Sequence, residues 1–531
     1  MTWDGLRCTP HIASTSEVTI QMASFILRRL LVSVLILIAA SFVMYMMVAY
    51  SSDPLQALLG SNSPNKLQLI ADLSRRLQLD VPPPLRWAMW LGGVAKCVIP
   101  FANACDLGST VSNAQVVDIL PTALASTLQL VTIALVVAIF LGVTIGIVTA
   151  LRQYSGLDNT VTFVSFFLYS LPSFLIAVLL KEFIAIDFND FLRNPIIPWW
   201  VIVAIAVVAG AIWQSLIGGD GRRRLTVFGI SGVATGVVLW LMSMTDWFLH
   251  PGLGPVVVVI IVVGIVVGTT ALIGGLQNRR TLLTAGINGA IAIVAYFALQ
   301  PLFNISSAGT LFILSLVTLG VGMLSGYLVG GYDRAQNVKV GAITAVATGA
   351  FILLDRIMQS WPTYLNDTTG RPIATVGSST PGLSGDVWVS TLDTFTHLVL
   401  PTAALLLISF ASYTRYSRAG MLEVLNQDYI RTARAKGMPE RTVIVRHAFR
   451  NVLIPITTLV AFDVGALLGG AVITEKVFAI PGMGNLFNSG LSRGDLNPVM
   501  GYFVIIAAMA IIFNFLADLA YAGLDPRVRV R

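Results

Sequence analysis

Apolar runs of about 20 residues recur along the whole of this 531-residue chain, and no other feature limits its fold as much. A helix of that length spans roughly the 30 Å of a bilayer's hydrocarbon core. A buried soluble core explains one or two such runs, but not a dozen. Only 11% of the residues are charged and the mean hydropathy is +0.82, where an ordinary soluble domain is about 25% charged. The expected fold is an all-α polytopic membrane protein.

Charge orients the spans. Span 1 is expected from about Leu30 to Tyr50, with Arg28 and Arg29 just ahead of it, which puts the N-terminus in the cytoplasm. Residues 51–118 are mixed and read as an external subdomain with a short helix near Leu67–Leu77. Span 2 covers about Ala123–Ala150. After the loop Leu151–Thr160, span 3 runs to about Ala185, and its Pro172 should kink or open it. The last third supplies spans near Leu398–Ser412, Val452–Ile473 and Gly501–Ala522, and Asp518 near the end of the last is expected to pair with a basic neighbour. Both termini of this six-span set are then inside.

Residues 186–394 fall outside that pattern. Six further spans are expected near 196–217, 226–246, 255–276, 281–300, 309–330 and 339–356. They are organised by a repeat: Gly218-Gly219 recurs 56 residues on at Gly274-Gly275 and again at Gly330-Gly331. A basic group follows each pair: Arg222 to Arg224, Arg279-Arg280, then Arg334 and Lys339. Three tandem helical hairpins are the natural reading. All three basic groups then face the cytoplasm, and the links Thr245–Gly254 and Gln300–Gly309 carry no Lys or Arg. The total is twelve spans. Glycine-rich stretches such as Gly229–Gly236 and Gly320–Gly331 suggest close helix packing in lipid. The polar segment Gln359–Thr396 is expected as a long external loop.

Of the chain's net charge of +7, +5 gathers in one loop. Residues 414–450 hold eight Lys/Arg against Glu423, Asp428 and Glu440. That is a topology signal rather than a nucleic-acid surface. Within it stands Asp428-Tyr-Ile-Arg-Thr-Ala-Arg-Ala-Lys-Gly437, followed by Arg446-His-Ala-Phe-Arg-Asn451 and Ile454-Pro455. Order and spacing resemble the cytoplasmic coupling loop of ABC-importer permeases, in the oligopeptide/dipeptide (peptide/nickel) branch. Arg431-Thr432-Ala433 stands where sugar importers have Glu-Ala-Ala. Other segments agree in register, among them Asp53-Pro54, Asp106-Leu107-Gly108, Leu120-Pro121-Thr122, Ser170–Phe174, Glu475–Gly484 and Leu524-Asp525-Pro526-Arg527. The resemblance covers about 22–185 and 395–531 and leaves 186–394 without an assigned role. Met22 resembles the usual start of the family, so residues 1–21 are expected to be a disordered extension.

The resemblance implies a permease subunit of an ATP-driven peptide importer in the bacterial plasma membrane. Its implied partners are a second related permease, one or two ATPase subunits, an external substrate-binding protein and membrane lipid. ATP and Mg would be bound by the ATPase, and no cofactor by this chain. The coupling residues would be Asp428, Tyr429, Arg431, Thr432, Ala433, Ala435, Gly437 and Pro455. Ala433 and Gly437, four apart, would share a helix face toward the partner, with Gly437 and Pro439 ending the helix. Arg431, Arg434 and Lys436 could pair with partner carboxylates.

Outside the loop little is titratable at membrane depth. Asp463 is either a functional intramembrane carboxylate or one hydrogen-bonded between helices. Cys97 and Cys105 lie in the expected external subdomain, where a disulfide can form. The chain contains no Gly-x-x-x-x-Gly-Lys-Ser/Thr loop, and none of its six lysines follows a glycine. Two other readings remain open: an ion-gradient-driven secondary transporter, suggested by twelve spans, and an ABC importer of nickel or another small solute. A threefold, charge-poor repeat fits the first of these badly.

Overall fold

A computed structural model describes residues 15–60, 62, 64–98, 105–383 and 385–524. Among them regular structure is helical, with one isolated antiparallel bridge between Ser109 and Gln115. Among the described residues, eleven helices are long and apolar enough to cross a membrane. A twelfth span appears if Gly156–Ser170 and Ser173–Phe191, bent by 104° at their junction, count as one. The bend falls at Pro172: Leu171 is extended, as a residue before proline prefers, and Pro172 has no N–H to continue the helix.

Packing divides the chain into two compact units, one of residues 1–143, 416–476 and 480–531, the other of 144–415 with 477–479. The first holds α1 (Thr15–Ser51), α2 (Lys66–Arg76), α3 (Pro83–Val98) and most of α4 (Val116–Leu151). The helix α1 begins at Thr15, so residues 15–21 are helical where a disordered extension was expected; lengthening an existing helix costs little once it is nucleated. Residues 1–14, the tail 525–531 and the side chain of Asp518 lie outside the described residues. In this unit α1 packs on α3. Trp87 donates from its indole N–H to Ser41 at 3.2 Å, and Tyr45, Trp90 and Met500 form a buried cluster. A disulfide joins Cys97 to Cys105 and closes the end of α3.

The second unit contains α5 (Gly156–Ser170), α6 (Ser173–Phe191) and three hairpins. These are α7 (Trp199–Ile217) with α8 (Gly221–Met244), α9 (Gly254–Thr269) with α10 (Arg279–Ala298), and α11 (Ala308–Val329) with α12 (Arg334–Gln359). The recurring glycine pairs are the hairpin turns. Gly218, Gly219, Gly275 and Gly331 all have positive φ, a conformation that costs other residues about 1–2 kcal/mol. Helices α9 to α12 form one bundle. A Cβ on Gly322 or Gly341 would overlap the facing backbone, so α11 and α12 meet at van der Waals distance. Thr269 bonds Thr344 at 2.9 Å and Asn288 donates to Ser325 at 2.7 Å across the bundle.

The loop expected over 359–396 is shorter than its polarity suggests. A helix α13 (Trp361–Asp367) carries Pro362 at its start, and α14 (Val387–Leu425) is capped by Asp386, whose Oδ1 accepts from the N–H groups of Trp388 and Val389. Buried Asp393 in turn accepts from Tyr364 and from Thr380, which ties the remaining loop down.

Candidate functional site

The basic loop folds into α15 (Asp428–Ala435), eight residues with an extended Gln427 before it. Its apolar contribution is small and placed at one side: Ile430 and Ala433 are buried, while Asp428, Tyr429, Arg431, Thr432, Arg434 and Ala435 are exposed. The hydroxyl of Thr432 donates back to the Asp428 carbonyl at 2.8 Å. Gly437 follows the last turn with φ +71°, its N–H on the Arg434 carbonyl, and Pro439 starts the next short helix, Glu440–Thr442. This is a C-terminal stop of the left-handed kind.

Two expectations for this helix change. Ala433 and Gly437 do not form one outward face, because the helix ends before Gly437 and Ala433 turns inward beside Ile430. The small groups that point outward are Thr432, Ala435 and Gly437. Nor is Arg434 a free cation. Its guanidinium grips Glu440 with two bonds, Nε to Oε2 at 3.1 Å and Nη2 to Oε1 at 2.6 Å. Arg431 and Lys436 stay exposed, Arg431 standing 3.9 Å from Asp428.

The helix is fastened to the base of α16 (Arg450–Val477). Asn451 donates to the Tyr429 hydroxyl at 2.8 Å and to the His447 carbonyl at 3.0 Å. A π-helical turn over Val443–Phe449 precedes α16, and Pro455 lies inside α16 on its exposed side. Asp463 sits half-buried further along α16.

The other end of α16 holds a cluster around Glu475, which the sequence placed only in a segment in family register. Glu475, fully buried, accepts from the Thr127 hydroxyl at 2.6 Å and from the Asn485 N–H at 3.0 Å. Thr127 accepts in turn from the N–H of Met483 at 2.8 Å. The chain thus folds back after α16 and enters α17 (Met483–Arg493) clamped to α4. The glycines make this possible: a Cβ on Gly482 would overlap Glu475, and one on Gly484 would overlap the Val472 backbone. A lone carboxylate between an apolar run and a Gly-Pro-rich segment was the available signal.

Beyond α17, Asp495 accepts from the Val111 N–H at 2.8 Å, Asn497 donates to the Ser109 carbonyl at 2.7 Å, and Arg76 donates to the Val111 carbonyl at 2.8 Å. Burial pushes the Asp495 carboxyl up; its bond to Val111 and the nearby Arg493 and Arg76 pull it partly back. These contacts frame a cavity of about 1100 Å³. It is floored by Tyr45 and Trp90 and edged by Asp53, Asp106 and Asp118 against Arg76 and Arg86. Among the described residues no group of His, Cys, Asp and Glu is arranged to hold a metal ion.

Two family models match the sequence. The N-terminal membrane component of binding-protein-dependent transport systems matches residues 22–131, and the inner membrane component of the same systems matches 365–530. The oligopeptide transport system permease protein of Mycobacterium tuberculosis is 36% identical over 223 residues, 39% of this chain and 66% of its own length. The dipeptide transport system permease protein of Bacillus subtilis is 47% identical over 134 residues, 25% of this chain and 44% of its own. That of Escherichia coli is 44% identical over 138 residues, 26% and 41% respectively. The chain therefore spans just under two thirds of the longest-matched of these relatives. Residues 132–364 lie outside both family models.

Proposed function

Because this chain belongs to the family of binding-protein-dependent transport system inner membrane components, we propose that it is the permease subunit of an ATP-driven peptide importer. It lines half of a translocation pathway shared with a second permease. An external binding protein delivers peptide to it, and separate ATPase subunits drive it through α15. ATP and Mg belong to those ATPase subunits. The chain sits in the bacterial inner membrane with both termini and α15 in the cytoplasm.

The observation that carries this reading is the build of α15. It is short and exposed, fixed at its base through Tyr429 and Asn451, and ended by a glycine turn. A rigid projection of this kind transmits movement, whereas a loop resting on lipid needs no such fastening. Thr432, Ala435 and Gly437 leave room for close approach, and Arg431 and Lys436 supply charge around it. The names of the relatives support peptide as the cargo. The paired clasp at Glu475 and the cavity bounded by Asp53, Arg76 and Asn497 suit the face where a binding protein delivers substrate.

The test is tagged purification in mild detergent together with peptide uptake in cells. An ATPase and a second permease should copurify with the wild-type chain and be lost from Gly437→Asp, which should insert normally yet fail to import labelled peptide. Normal peptide uptake by Gly437→Asp would sink the assignment of α15. Uptake of nickel but not peptide would redirect the cargo.

A further inference from the structure

Residues 132–364 are matched by neither family model, and their bundle contains a cleft of about 330 Å³ between α10, α11 and α12. Its walls are apolar, with Leu299, Phe303, Leu314, Val321, Ile352 and Leu353 prominent. The few polar side chains that reach it are satisfied within the bundle. Ser315, Thr318 and Thr348 donate to the carbonyls of Leu311, Leu314 and Thr344, and Asn288 donates to Thr284 and Ser325. Such a cavity has no partners for water and stays dry. All three helices are membrane-spanning, so the medium at its opening is hydrocarbon.

One cation stands at the end of this cleft. Arg356 lies one turn beyond Ile352 and Leu353, and Asn304 directly follows Phe303. Arg356 donates to Asn304 at 2.7 Å and to Gln359 at 3.2 Å, and its guanidinium lies 5.8 Å from the centre of the Trp388 ring. Its Nε–H is enclosed without an acceptor, and among the described residues no carboxylate is within ion-pair distance of the guanidinium. The adjacent Asp355 is turned away, accepting from Leu253 N–H, Tyr296 and Gln359. A charge at the end of a membrane span with no carboxylate to neutralise it, set over a dry apolar slot, matches a phospholipid: anionic head above, acyl chain below.

We propose that this cleft is a phospholipid site, holding one acyl chain between α10, α11 and α12 with the lipid phosphate against Arg356. The inserted bundle then serves as a lipid-anchored support for the permease.

The test uses the full chain, purified in mild detergent, stripped of lipid, and exchanged against vesicles of phosphatidylglycerol or phosphatidylcholine. Bound lipid is counted by native mass spectrometry. Wild type should retain one phosphatidylglycerol through washing. Gly349→Phe should lose it, since a Cβ at Gly349 meets only the Thr318 methyl, at 3.4 Å, and a larger ring projects into the cleft. Ala295→Leu is a milder filling variant, should Gly349→Phe fail to give a monodisperse protein. Arg356→Gln should leave a chain bound but reduce the preference for phosphatidylglycerol roughly tenfold, the scale of one charge-assisted hydrogen bond. Equal retention by wild type and a well-folded filling variant would overturn the site as annular lipid only. Retention of free fatty acid in place of phospholipid would overturn it as well.

Discussion

Asp495 shows how a single buried carboxylate makes stability depend on pH. Its pKa is raised in the folded chain, chiefly by burial. A raised carboxyl pKa means that the protonated form fits the site better than the ionised one. Its contribution is therefore complete in acid and fades as pH climbs from the ordinary carboxylate range through the raised value. Asp495→Asn should flatten that dependence, keeping an oxygen for Val111 while removing the charge. Asp495→Ala should cost most in acid, about 1 kcal/mol, because the half-exposed Val111 N–H loses its acceptor, and less as pH rises, because the buried charge is removed with it. Thermal melts of the purified protein between pH 4 and 8 read both effects. An Asn variant that keeps the wild-type slope would show that another group titrates.

At the scale of the element, the hinge between α16 and α17 depends on Glu475 as a shared acceptor. Glu475→Ala leaves the Thr127 hydroxyl and the Asn485 N–H unpaired in a buried site, at about 1–3 kcal/mol for each. Glu475→Gln should cost less, since its oxygen still serves one donor while its NH₂ faces the other. Gly484→Ala should be as damaging as Glu475→Ala by a different route, the overlap with the Val472 backbone. Denaturation of the three variants ranks them. At α15, Gly437→Ala strains the turn by about 1–2 kcal/mol but meets nothing within 4 Å. Import should survive it in part and fail in Gly437→Asp, which adds bulk and charge on the exposed side; equal loss in both would assign the defect to the turn itself.

These elements also mark what was legible beforehand. The hairpins were readable because 20-residue apolar runs and glycine turns are local signals, and the span expected at 226–246 is found as Gly221–Met244. Pro172 broke its span for a reason internal to proline. By contrast α3, with two prolines in its first turn, and α13 inside a polar stretch were hidden by residues that mark loops as often as helix starts. Glu440 stands in the sequence only as a charge of the basic loop and Glu475 only as the start of a segment in family register, because their partners Arg434 and Thr127 are found only by folding. For Ala433 the expected face does not form, because the helix ends before Gly437 and because periodicity cannot show which side the neighbouring structure covers.

For the molecule as a whole, the inserted hairpins pose a question of parity. Helices α7 to α12 add six crossings, an even number, so the segments before and after them keep the orientation they would have had if directly joined. The charges agree with this, since the three hairpin turns and α15 carry the basic residues while the links 245–254 and 300–309 carry none. If Gly156–Ser170 and Ser173–Phe191 instead form a re-entrant loop that returns to its own side, parity shifts, and the hairpin turns and α15 both lie opposite the N-terminus. Single cysteines placed in a Cys8→Ser background distinguish the two arrangements, Cys97 and Cys105 being joined to each other. Gly218→Cys, Gln277→Cys and Ala335→Cys should be protected from an impermeant maleimide in intact cells, whereas Pro251→Cys and Ser306→Cys should react. The reverse pattern would make the broken pair re-entrant and place α15 on the outer face, where no ATPase could reach it.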